Sequence, residues 1–216
     1  MSIATPDRPP PYAAPAHPEP VYELREGLEV DYQTFALLDH KGFELVEGVV
    51  REKVVSEFSS AFQYWLLLVV GQALLKQPEL GFPTEAGGGD RCFAHPDTLR
   101  KPDFAWTSRE RRRGPAKRRG YSNTAPNFVV EVLCPSNERA AIAEKVAMYR
   151  AASVDLVWVV DPVALTAVVH DAAGVRTFAA DQPLPCPMIP GLSVTLQQVA
   201  DLVARSEGAS SETPSD

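Results

Sequence analysis

Two apolar runs with a helical pattern between them dominate the chain. Phe128-Val129-Val130-Glu131-Val132-Leu133 is followed by the polar turn Cys134-Pro135-Ser136-Asn137. A helical pattern then runs from about Glu138 to Ala152, and a second apolar run, Asp155–Asp161, is stopped by Pro162. A strand, a helix and a strand of these lengths predict a parallel crossover. Upstream, Asp31 to Asp39 predicts a short helix with Phe35, Leu38 and Ala36 on its apolar side, ended by Gly42. Phe43–Val46 and Val49–Val54 predict a hairpin closed by the tight turn Glu47-Gly48. A helix capped by Ser56 or Ser59 runs to about Lys76, with Phe62, Trp65, Leu66, Val69, Val70, Ala73 and Leu74 forming a broad stripe that packs on a sheet. Lys101–Trp106 predicts a strand entered through Pro102. The period of two puts Asp103, Ala105 and Thr107 on one face and Phe104 and Trp106 on the other. Beyond Pro162, Leu165–His170 and Val175–Phe178 predict a hairpin, and a last helix covers about Thr195–Ala204.

Composition sets the boundaries. Residues 1–25 are rich in Pro and Ala with few large apolar side chains and predict a disordered tail; 206–216 are small and polar and predict another. One folded domain, 26–205, remains. The chain is 45% hydrophobic and 23% charged, as in ordinary globular proteins. Its longest uninterrupted apolar run, Trp65–Val70, falls short of the roughly 18–20 residues that span a bilayer, so no membrane partner is expected. Three widely spaced cysteines, Cys92, Cys134 and Cys186, argue against a disulfide framework or a zinc site. With no signal-peptide pattern, the expected location is cytoplasmic. Gly87-Gly88-Gly89 lacks a following Gly-Lys-Ser/Thr and a following helix, and reads as a turn or bulge.

The net charge of −7 argues against general nucleic-acid binding, but it hides a contrast. Arg109–Arg119 carries seven basic residues against Glu110, a local +6, so the remainder carries −13. Arg111, Arg112, Arg113, Lys117, Arg118 and Arg119 make this either a loop that touches backbone phosphates or a solvated loop that keeps the protein soluble.

The candidate chemistry starts from Glu131. A carboxylate inside an apolar strand is costly to bury unless it is paired or opens onto a site. Asp103 lies on another strand, and if the two strands are neighbours both acids face one side at one end of the sheet. Two carboxylates with a backbone carbonyl, that of Val132, form a hard oxygen site suited to Mg²⁺ or Mn²⁺. Lys145 lies three residues after Ile142 and four before Tyr149, on the inward side of its helix, where it could orient a water or pair with a phosphate. The plainer alternatives are that Lys145 snorkels to solvent and that Glu131 is neutralised by an arginine or lysine. His95 reads as a turn residue, and His40 and His170 as surface or satisfied side chains.

Taken in order, Phe43–Gly48, Arg100-Lys101-Pro102-Asp103, Pro126–Ser136, Lys145 to Tyr149 and Val157–Pro162 form a set that resembles the Uma-two family within the PD-(D/E)XK nuclease superfamily, over about Asp31 to Leu202. The resemblance implies an α/β, restriction-endonuclease-like core with a mixed β-sheet flanked by helices. It gives Asp103 the role of the Asp in the Pro-Asp motif and Glu131 that of the second acid. Leu133 stands where the superfamily has its lysine, and Lys145 matches the position to which that lysine has migrated. Glu44 matches an early Glu that adds a ligand or catalytic group, with Glu47 the weaker substitute. Ser59 stands where many relatives have His, Cys134 where Ser is commoner, and Ser153 where Gly is commoner. The implied activity is Mg²⁺- or Mn²⁺-dependent cleavage of DNA. Two rival readings stay open: an inactive nucleic-acid-binding or regulatory module on the same scaffold, and an interaction protein, such as a homodimer, that binds no DNA.

Overall fold

The computed structural model describes residues 23–85, 90, 93–112, 114–115, 120–135 and 139–208. The expectations for residues 1–22, the Gly87-Gly88-Gly89 triplet, Cys92, Arg113, Lys117–Arg119 and 209–216 lie outside them.

Helix α1, Tyr32–Leu37, starts at Asp31, whose side chain accepts from the Thr34 N–H. Strands β1, Phe43–Val46, and β2, Val49–Glu52, pair antiparallel. Their turn places Glu47 at φ 50° and Gly48 at φ 83°, two left-handed residues in succession, as a two-residue hairpin requires. This hairpin and α1 enclose a small core of Phe35, Leu45, Val50 and Leu99. Helix α2, Glu57–Leu75, is capped by Ser56 rather than Ser59.

The main sheet has six strands: β3 (Gly81–Glu85), β4 (Phe104–Ser108), β5 (Phe128–Val132), β6 (Leu156–Asp161), β7 (Thr166–Asp171) and β8 (Gly174–Phe178), in that spatial order. Only β5 and β6 are parallel. Helix α3, Arg139–Ala151, makes the crossover between them, as the apolar–helical–apolar pattern predicts. Helix α4, Leu196–Gly208, continues past the expected end near Ala204 and takes in the first residues of the expected tail. Within that extension, Arg205 donates to the Asp201 carbonyl and the Ser206 hydroxyl to the Val203 carbonyl.

One face of the sheet, carrying Phe104, Trp106, Phe128, Val130 and Trp158, packs on α2 and α4. The other face, carrying Ala105, Val129, Val157 and Val159, packs on Val146 and Tyr149 of α3. By length and composition alone α2 could cross a membrane, a property that no single apolar run reveals. Here its Phe62, Leu66, Val70 and Leu74 are buried in the core, each stabilising the fold by roughly 1.5–3 kcal/mol. The resulting layers are α2 and α4, the mixed sheet, and α3, the α/β arrangement expected.

Candidate active site

Strand register brings the two acids together. Phe104 pairs with Val130 across the antiparallel β4–β5 ladder. One residue before Phe104 and one after Val130 stand Asp103 and Glu131, on the same face as Ala105 and Val129 and therefore beneath α3. The Val132 N–H donates to Asp103 Oδ2 at 2.6 Å, which locks the Asp103 carboxylate to the end of β5. Glu44 arrives from β1. The Leu45 N–H donates to the Leu99 carbonyl at 3.0 Å and the Leu99 N–H returns to the Leu45 carbonyl at 2.7 Å, so β1 runs beside the segment that leads into Pro102-Asp103.

Lys145 of α3 joins these acids. Its ammonium lies 3.0 Å from Glu131 Oε2 and 3.2 Å from Glu44 Oε1. The side chain is 10% exposed, so it does not snorkel. Burial costs for the lysine and for Glu131 are both offset by this one pairing, and the neutralising partner expected of a structural Glu131 and the lysine expected of a nuclease are the same residue. Tyr149, one helical turn on, donates its hydroxyl to Glu131 Oε1 at 2.6 Å. Glu44 also accepts from the Lys101 N–H at 2.6 Å and from Arg100 at 3.3 Å. Lys53, just beyond β2, places its ammonium 2.8 Å from Asp103 Oδ1.

The charges separate the proton affinities of these groups. Burial would raise the Glu44 carboxyl, but Lys145, Arg100 and Lys53 together with the Lys101 N–H overcome it and hold Glu44 down at about 2. Burial pushes the Glu131 carboxyl up; Lys145 opposes this, while Asp103 and Glu44 add to it. Burial would lower the Lys145 ammonium, but Glu131 and Glu44 outweigh it, so its pKa rises and it stays charged. The Tyr149 phenol is driven well above its ordinary value by burial and by Glu131.

Glu44, Lys53, Arg100, Asp103, Glu131 and Lys145 line a cleft of about 550 Å³. Ser59 is also on its wall, where its hydroxyl donates to the Leu133 carbonyl at 2.9 Å and fastens the start of α2 to the end of β5. Among the described residues, no three His, Cys, Asp or Glu side chains form a closed ligand set. A divalent ion such as Mg²⁺ ordinarily takes one or two carboxylates and keeps several waters, and Asp103, Glu131 and the Val132 carbonyl suit that chemistry. An ionised carboxylate has about four acceptor sites; Asp103 and Glu131 each use two on protein donors. Glu44, with three donors, is the most committed of the acids to the protein itself.

The sequence did not single out Lys53, Arg100 or the Tyr149 hydroxyl as parts of the site. Tyr149 was legible as an inward residue on the Lys145 face. Nothing in Arg51-Glu52-Lys53 shows where the end of a hairpin will aim. His40 is satisfied rather than catalytic. Its Nδ1 accepts from the Lys101 ammonium at 3.0 Å, and its Nε2 donates to the Tyr121 hydroxyl at 2.8 Å.

The described start of the basic segment, Arg109–Arg112, is not brought to the cleft. Asp103 precedes β4 and Arg109 follows it, and a five-residue strand is roughly 17 Å long. Arg111 donates to the carbonyls of Pro126 and Ser153 at 3.0 and 2.8 Å and pairs with Asp155 at 2.8 Å. The Arg112 guanidinium lies 3.9 Å over the Phe82 ring. Ser153 adopts φ 65°, the left-handed region where glycine costs least, which accounts for glycine in the family pattern at this helix end.

The sequence profile of the Uma2 family, described as "Putative restriction endonuclease", matches residues 31–197. The chain belongs to the Uma2 family. Among solved structures, a putative nuclease from Anabaena variabilis shares the fold with a TM-score of 0.63 at 18% identity, covering 74% of this chain and 90% of that one. No curated protein matches the sequence. In this Uma2 protein, the residues that carried the family resemblance (Glu44, Asp103, Glu131 and Lys145) converge on one cleft.

Proposed function

We propose that this protein is a divalent-metal-dependent endonuclease that hydrolyses phosphodiester bonds in DNA. The observation that carries the reading is the convergence of Asp103 and Glu131 on one face at one end of the sheet, with Lys145 paired to Glu131 and Glu44, in a member of this family. Asp103, Glu131 and the Val132 carbonyl would hold Mg²⁺ or Mn²⁺. Such an ion acidifies bound water and stabilises charge on a phosphate. Lys145 cannot serve as a base, because its flanking carboxylates keep it an ammonium. Its part is to fix Glu131 and Glu44 and to offer N–H donors to water or phosphate at the cleft.

The test is incubation of supercoiled plasmid with Mg²⁺ or Mn²⁺, with a chelator control and Asp103→Ala. Nicking or linearisation that needs the ion and falls by roughly 100-fold or more in Asp103→Ala supports the proposal. Undiminished cutting by that variant ends it.

A second reading rests on the charge balance. Glu44, Asp103 and Glu131 face Lys53, Arg100 and Lys145 in matched number, as in a structural ion-pair network that needs no metal. Salt-sensitive DNA binding without any ion-dependent nicking would favour an inactive binding or regulatory module.

A further inference from the structure

Lys53 differs from the other two cations of the cleft in how it is held. Lys145 sits inside a helix between two carboxylates, and Arg100 is paired with both Glu44 and Glu144. Lys53 lies in the segment between β2 and α2 that has no regular structure. It is followed by Val54 and Val55, which are 49% and 51% exposed. Its side chain is 14% exposed, the most open of the three. Its ammonium has two partners, Asp103 Oδ1 at 2.8 Å and the Lys101 carbonyl at 2.5 Å.

Oδ2 of Asp103 accepts from a neutral backbone N–H, that of Val132, whereas Oδ1 faces a full positive charge, that of Lys53, so Oδ1 is where an incoming cation meets another cation. We propose that Lys53 competes with the divalent ion for Asp103 Oδ1, and that the ion binds with this ammonium displaced toward the mouth of the cleft. The inference rests on the metal-dependent reading above. Two cations on one carboxylate oxygen repel, more strongly away from bulk water. Turned to solvent, the ammonium no longer faces the ion and is free to meet a phosphate at the mouth of the cleft.

A purely structural Lys53 predicts the reverse, since removing it would loosen Asp103 and weaken the ion site. Mn²⁺ binding measured by calorimetry, without DNA, separates the two. Lys53→Met is expected to bind Mn²⁺ at least tenfold more tightly than the wild type. Lys53→Gln, which keeps a polar donor without the charge, should tighten binding as well and stands in if the Met variant fails to fold. In chelator, both should melt below the wild type, and Mn²⁺ should raise their melting temperatures by more. If the wild type binds Mn²⁺ and the variants bind no more tightly, the competition is refuted and the nuclease proposal is untouched. If neither wild type nor variants bind Mn²⁺, the metal-dependent reading fails and takes the inference with it.

Discussion

Replacing Lys145 with Met tests whether the cleft is built around one buried ammonium. Methionine keeps most of the aliphatic stem, so packing against Tyr149 and the sheet changes little, while the charge between Glu44 and Glu131 is lost. Glu44 retains Arg100 and the Lys101 N–H, but Glu131 is left with the Tyr149 hydroxyl alone. Removing one partner of a buried ion pair costs roughly 3–5 kcal/mol, which for a domain of this size lowers the melting temperature by roughly 6–20 °C. The cost should depend on pH in a definite direction. Burial already raises the Glu131 carboxyl, and without Lys145 it rises further. A carboxyl raised by folding contributes stability that is full below its unfolded pKa and is lost as pH rises through the folded one. The variant should therefore lose more at pH 8 than at pH 5. Adding Glu131→Gln removes the stranded charge, so the double variant should be more stable than the sum of the single losses by roughly 1–3 kcal/mol. Urea unfolding of the four proteins at both pH values, followed by circular dichroism, gives every term. A single-variant loss below about 1 kcal/mol, or additivity within about 0.5 kcal/mol, would refute the claim that Lys145 and Glu131 neutralise each other as a buried pair.

Two further outcomes follow from other parts of the chain. Arg111→Ala should cost stability of roughly 1–3 kcal/mol through lost charge-assisted bonds to Asp155 and to the Pro126 and Ser153 carbonyls, while leaving DNA affinity and its salt slope in a gel-shift titration unchanged; a reduced salt slope would mean that this side of the sheet touches phosphates after all. Asp90, buried where its backbone bridges to Arg100, has its carboxyl raised by burial to about 7. Its contribution is full below the ordinary range near 3.8 and is lost as pH rises toward and past about 7, so Asp90→Asn should be neutral in urea unfolding at pH 4 and stabilising at pH 8.

The parts of this structure that were legible in the sequence are those fixed by short-range periodicity. The period of two placed Asp103 with Ala105 against Phe104 and Trp106, and the structure divides them between the α3 face and the α2 face in that way. Helical spacing placed Lys145 inward with Ile142 and Tyr149, and there it is buried. Glu47-Gly48 announced its turn by residue type alone. What periodicity could not supply was the long-range pairing of charges. Asp103 and Lys53 are 50 positions apart, and Glu44 and Arg100 56. Their meeting depends on how the β1–β2 hairpin docks on the segment before β4, which the Leu45–Leu99 bridge decides. The family resemblance bridged part of that gap by naming Glu44, Asp103, Glu131 and Lys145 together, but it offered no counter-charge for Asp103. The basic run shows a different limit: a composition signal carries no direction, so the sequence left a phosphate contact and a solvated loop both open, and β4 carries Arg109–Arg112 to the far end of the sheet from Asp103.

The same long-range pairing is what makes a binding site out of an otherwise ordinary sheet end. Asp103 and Glu131 alone would repel each other, and burial would protonate at least one of them. Lys145 keeps Glu131 within reach of ionisation, Arg100 and the Lys101 N–H stabilise the charge on Glu44, and Lys53 does so for Asp103 from the most open side of the cleft. Of these cations Lys53 has the most exposed side chain and stands outside helix and strand, so it is the one that the proposed competition would displace with least disturbance to the packing.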